Sequence, residues 1–105
     1  MLRALAAIVL AYLIGFLLFA ALLPQPLGAR RSDAVIVLTG GPGRIERGLE
    51  VIRAGEAREM FVSGVARQVR AGELAAQYDI PDRIMRCCVT LGYAAVDTRS
   101  NAKEA

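Results

Sequence analysis

The chain has 105 residues, 55% of them hydrophobic, with 13 Lys and Arg against 10 Asp and Glu. A length of this order leaves room for one small domain. The positive surplus is local. Arg3, Arg30 and Arg31 flank an apolar N-terminal stretch, and from Ser32 onward acidic and basic residues balance. A nucleic-acid surface, which needs a basic stripe with interleaved aromatics, is therefore not expected. The sequence has no His, which removes the commonest zinc ligand and the commonest general base. Cys87 and Cys88 are adjacent and have no metal-ligand spacing, so no metal site is expected. A bridge between neighbouring cysteines strains the peptide that joins them. The pair is expected to be small apolar filling, with a redox role as the lesser alternative.

Ala4 to Leu23, ALAAIVLAYLIGFLLFAALL, carries no charge. That is about the 20 residues a helix needs to cross the hydrocarbon core. Pro24 and Pro26 end it. Residues 1–24 are read as a single transmembrane anchor. The rival is a cleaved signal peptide, which calls for a shorter apolar region and small residues at the cleavage point; Pro26-Leu27-Gly28 suits that poorly. The positive-inside count is close to a tie and does not orient the span. Residues 25–32, QPLGARRS, form a short linker that would keep the soluble domain close to the bilayer.

Residues 33–105 read as alternating strand and helix. Asp33 leads into Ala34-Val35-Ile36-Val37-Leu38, an unbroken apolar run that suits a parallel strand covered on both faces. Thr39-Gly40-Gly41-Pro42-Gly43 is a turn. A helix follows from Pro42 or Gly43 to Arg53, with Ile45, Leu49 and Ile52 on one face and proline at its first position. Glu46, Arg47, Glu50 and Arg53 form its wet face. Gly48 suits a close approach of helix to sheet, and Ala54-Gly55 is the stop.

Glu59–Ser63 is a second strand, and the helix before it makes a crossover, so the two strands should be parallel. Val65–Arg70 is loop and Gly72–Tyr78 a short helix. Ile84–Leu91 reads as an apolar strand or extended segment, and Ala94–Val96 as a further short strand. Asn101–Ala105 looks like the opening of a helix. The fold class expected is α/β, a Rossmann-like parallel sheet with flanking helices. The open sheet edge and the late helix make it an incomplete one, with more sheet expected downstream.

DAVIVLTGGPGRIERGLEVIRAG, MFVSG and DTRSNAKEA together resemble the bacterial YdcF/SanA/ElyC-type domain family. The pattern is a strand ending in Gly40 and Gly41, Arg44 opening a helix, the Arg53-Ala54-Gly55 stop, Ser63-Gly64, then Thr98, Asn101 and Glu104. The family pattern continues through another helix, a strand and a polar segment with His and Arg. On this resemblance the chain carries the first half of the domain. A membrane anchor before the domain matches the SanA-like branch. It implies a domain on the periplasmic side of a bacterial inner membrane, with a role in envelope integrity or peptidoglycan metabolism. The resemblance assigns no reaction.

The glycine turn gathers backbone N–H groups at a helix start beside the Arg44 guanidinium. That is a site for a phosphate, pyrophosphate or carboxylate, although it is neither a Walker-type loop nor a full dinucleotide fingerprint. The purely conformational reading of the glycines stands beside it. Ser63 and Gly64 end the second strand at the same sheet edge, where the hydroxyl would touch a ligand or cap a turn. No histidine or lysine stands near Ser63 in sequence to activate it, so no catalytic residue is assigned. Asn101 with Glu104 three residues later fits a capping box; equally, both fit a cleft beside the glycine turn. The candidate ligand-binding set is Gly40, Gly41, Gly43, Arg44, Ser63, Gly64, Thr98, Asn101 and Glu104. Three functions are compatible with these residues: a phosphate-ligand binder or enzyme of the envelope, a non-catalytic membrane scaffold, and a cytosol-facing nucleotide or adenosylmethionine-type binder.

Overall fold

The computed structural model describes residues 1–25, 28 and 30–105. The linker expected over 25–32 lies partly outside these residues. Its last residue, Ser32, already belongs to the first strand.

The first helix, α1 (Leu2–Ala21), is apolar on every side and buries none of its residues. A helix apolar all round needs an apolar medium or partner. Its length and composition are those of a membrane span, and a signal sequence has the same properties.

The remainder is α/β: β1 (Ser32–Leu38), α2 (Arg44–Arg53), β2 (Ala57–Ser63), α3 (Ala71–Gln77), α4 (Asp82–Cys88), β3 (Val89–Leu91) and α5 (Thr98–Glu104). The three strands form one sheet in the order β1-β2-β3. Both pairings are parallel, with Leu38 beside Ser63 and Val62 beside Leu91. All three strands therefore end at one edge of the sheet.

The core is Val37, Leu49, Met60, Val62, Val65, Leu74 and Ile80. Each such side chain taken fully from water contributes about 1.5–3 kcal/mol. Gly48 faces the sheet at close range. A Cβ there would lie 2.5 Å from Val37 Cγ2 and 2.8 Å from Met60 Sδ, so α2 rests lower on the strands than any other residue would permit. The C-terminus of α2 is closed by Gly55 at φ 70°. Gly55 N–H donates to Ile52 O and Glu56 N–H to Val51 O, both at 3.0 Å. This pair of bonds satisfies the last carbonyls of the helix.

Four local readings are corrected. Pro42 is not in the helix: Gly43, at φ 76°, takes the cap position and α2 starts at Arg44. Ile84–Cys88 is helical, not extended. Pro81 precedes α4, Asp82 occupies its first turn, and Ile84 and Met85 pack on the core; only Val89–Leu91 is strand. Ala94–Val96 is loop, because the Ala94 N–H is taken by a carboxylate of α5. Cys87 and Cys88 are not apolar filling: Cys87 is exposed and the two sulfurs are bonded to each other.

Candidate functional site

The carboxyl ends of β1 and β2 lie side by side. Thr39 N–H donates to Ser63 O at 3.0 Å, and Thr39 Oγ1 donates to Gly64 O at 2.6 Å. Gly64 has φ 75°, and a Cβ there would lie 2.7 Å from Thr39 Oγ1 and 2.8 Å from Asn101 Oδ1. Only glycine fits, for both reasons.

α5 is fastened to this junction through polar side chains. Its N-cap is Asp97, which accepts from the backbone N–H of Ser100 at 2.7 Å and from the Ser100 hydroxyl at 2.6 Å. These bonds from Ser100, the hydroxyl first, hold the Asp97 carboxyl below its ordinary range. The capping box is thus Asp97 with Ser100, not Asn101 with Glu104. Those two stand one and two turns further in, on the face toward the sheet. Glu104 Oε2 accepts from the Ser63 hydroxyl at 2.5 Å and from Gly64 N–H at 3.0 Å. Its Oε1 accepts from Ala94 N–H at 2.6 Å. The Ser63 hydroxyl, followed by the backbone donors, holds the Glu104 carboxyl below its ordinary range against the opposing cost of desolvation. The side-chain amide of Asn101 lies 2.8 Å from Ser63 Oγ.

On the other side of the junction, Arg44 folds back over its own turn. Its Nη1 donates to Leu38 O at 3.1 Å and stands 3.5 Å from Thr39 O. A Cβ on Gly41 would lie 3.1 Å from Arg44 Nε, so the bare backbone lets the guanidinium lie flat across it. The strand-end carbonyls orient the guanidinium, and among the described residues its other N–H groups have no protein acceptor. Among the described residues, the N–H groups of Gly40 and Gly41 have no protein acceptor.

Between these two sides is a cavity of about 670 Å³ that opens at the sheet edge. Gly40, Arg44, Gly64, Thr98 and Asn101 of the predicted set line it, together with Thr39. Val65, Val69, Leu74, Tyr78 and Val96 form its apolar side. Thr39 and Tyr78 carry no distinguishing sequence pattern, while Asp97, which also lines the cavity, has only the capping pattern it makes with Ser100. The only signal that could have found Thr39 is its place directly after the β1 apolar run.

The other four predicted residues stand elsewhere. Ser63 is fully buried behind the cavity wall, and its hydroxyl faces protein. Glu104 holds α5 and borders a separate depression beside Arg67, Arg70 and Tyr93. Gly41 lies under Arg44. Gly43 is on the flank where α2 meets β1. No cluster of His, Cys, Asp or Glu able to hold a metal ion occurs among the described residues.

The cavity therefore offers the Arg44 guanidinium and the Gly40 backbone on one wall, the Asn101 amide on the facing wall with the N-cap residue Asp97 at its border, and an apolar flank. This suits an anion attached to a larger body, and it supplies no nucleophile with a base beside it. Comparisons with protein-family models, characterised proteins and solved structures give no match.

Proposed function

We propose that this chain is a membrane-anchored domain that binds a phosphate-bearing ligand at the carboxyl edge of a Rossmann-like sheet. The observation that carries the proposal is the placement of Arg44, Gly40 and Asn101 around one cavity. Support comes from the position of that cavity at the strand ends, where α/β sheets bind ligands. The apolar flank suits a ligand with a lipid or other apolar portion. A periplasmic location and a role in envelope or peptidoglycan biogenesis rest on the resemblance to the YdcF/SanA/ElyC-type family.

The test is calorimetric titration of the full chain in detergent with inorganic phosphate and phosphate esters, beside Arg44→Ala. Loss of a guanidinium–phosphate pair should weaken binding by tenfold or more, since hydrogen bonds to charged groups are worth roughly 1.5–3 kcal/mol. Phosphate affinity unchanged in Arg44→Ala would end the proposal. A reporter fused after Ala105 assigns the side of the membrane.

One observation favours a second reading, that of a protein-binding scaffold. β1 is an edge strand and its Ile36 is 51% exposed, as a strand that accepts a partner would be. Crosslinking from position 36 separates the two readings.

A further inference from the structure

Three groups meet in the buried junction behind the cavity: Ser63, Glu104 and Asn101. Ser63 Oγ lies 2.5 Å from Glu104 Oε2 and 2.8 Å from the Asn101 amide. A serine hydroxyl has one proton to give. Gly64 N–H also donates to Glu104 Oε2, at 3.0 Å, and Ala94 N–H donates to Oε1, at 2.6 Å. A carboxylate facing three donors is ionised and has no proton of its own to offer. The Ser63 proton is therefore committed to Glu104, and Ser63 Oγ is left as an acceptor only.

The group that faces this acceptor from Asn101 must then be a donor. With Oδ1 toward Ser63, two oxygens would meet with no hydrogen between them. Exchanging Oδ1 and Nδ2 by a half-turn of the amide moves no other atom and supplies the missing hydrogen. Asn101 is 8% exposed and lines the cavity. The half-turn brings its carbonyl oxygen to the cavity side, where no protein donor reaches it among the described residues.

We infer that Asn101 presents a hydrogen-bond acceptor to the cavity, opposite the donors of Arg44 and the glycine turn, so that the ligand carries a hydroxyl beside its phosphate. The ligand class is a phosphate ester of a sugar or polyol. This rests on the phosphate reading and narrows it. The dianion of a phosphate on a hydrocarbon chain alone has no hydroxyl to donate: it satisfies the Arg44 wall and leaves Asn101 without a ligand donor.

The experiment uses the full chain in detergent micelles and four probes: inorganic phosphate, methyl phosphate, glucose 1-phosphate and farnesyl phosphate. Glucose 1-phosphate should bind roughly three- to tenfold tighter than methyl phosphate, the gain expected from one neutral hydrogen bond. Asn101→Ala should erase that gain, so that glucose 1-phosphate and methyl phosphate bind the variant with equal affinity. Arg44→Ala should weaken all four probes. Equal affinity for glucose 1-phosphate and methyl phosphate, with Arg44 dependence intact, overturns this inference and spares the phosphate reading. Loss of Arg44 dependence overturns both. Side-chain amide NMR reads the orientation without any substitution. Amide-proton contacts from Asn101 to the Ser63 β-protons are expected, and amide protons that shift on titration with inorganic phosphate would show the opposite orientation.

Discussion

The two strand ends that frame the cavity are built in opposite ways. β1 ends in Thr39-Gly40-Gly41-Pro42-Gly43, where a Cβ on Gly40 or Gly43 would meet nothing within 4 Å. β2 ends in Ser63-Gly64, where the serine is fully buried and a Cβ on the glycine would strike two side chains. Both ends use glycines at positive φ. At β1 the glycine allows a conformation, while at β2 it allows a contact as well. The open end receives, and the closed end fixes the geometry of what is received.

Substitution at each end should separate these roles. The largest effect is expected from Gly64→Ala, which combines left-handed strain with overpacking against Thr39 and Asn101. It should cost about 2–4 kcal/mol in denaturant unfolding. If instead the loss is a few tenths of a kcal/mol, the closed end is not closed.

The next effect is in pH. Glu104 has a folded pKa below its unfolded value, so its bonds add stability above the ordinary carboxylate range near 4.3. That stability drains away as pH falls through the lower folded value. Asp97 acts in the same direction. The unfolding temperature of the parent chain should therefore fall as the pH drops below the ordinary carboxylate range. Glu104→Gln should start less stable and lose less on acidification. Parallel pH profiles would remove Glu104 from the junction.

The smallest effect is expected from Gly40→Ala, with φ 109° and open space around it. Its cost is backbone strain alone, about 1–3 kcal/mol, at the low end because nothing is struck. The change should be read in phosphate affinity more than in the melting curve. A melting change as large as that of Gly64→Ala would erase the contrast between the two ends.

Much of this arrangement can be read from residue order. The apolar runs of β1 and β2, the glycine turn, the Arg53-Ala54-Gly55 stop and the parallel crossover are all local signals, and each has its counterpart in the fold, except that β1 is not covered on both faces: Ile36 is 51% exposed. The misreadings share a cause. Ile84–Cys88 and Ala94–Val96 are short apolar stretches whose period does not distinguish helix, strand and loop. What decides them is Pro81 for the first and the reach of Glu104 for the second. The capping box is ambiguous in sequence because Asp97-x-x-Ser100 competes with Asn101-x-x-Glu104 for the same role. Ser63 stands in the predicted set, yet whether its hydroxyl meets ligand or protein depends on α5, 38 residues further along at Asn101. No periodicity encodes that distance.

The bare α-carbon of Gly48 governs the reach of a residue it never touches. Because nothing projects from position 48, the α2 cylinder settles onto Val37 and Met60, and its first turn comes level with the last carbonyls of β1, where Arg44 is moored. A single methyl at that midpoint would work as a shim. It would raise the whole rod and lift the guanidinium off its moorings, so recognition would be detuned from inside the protein with every lining side chain unchanged.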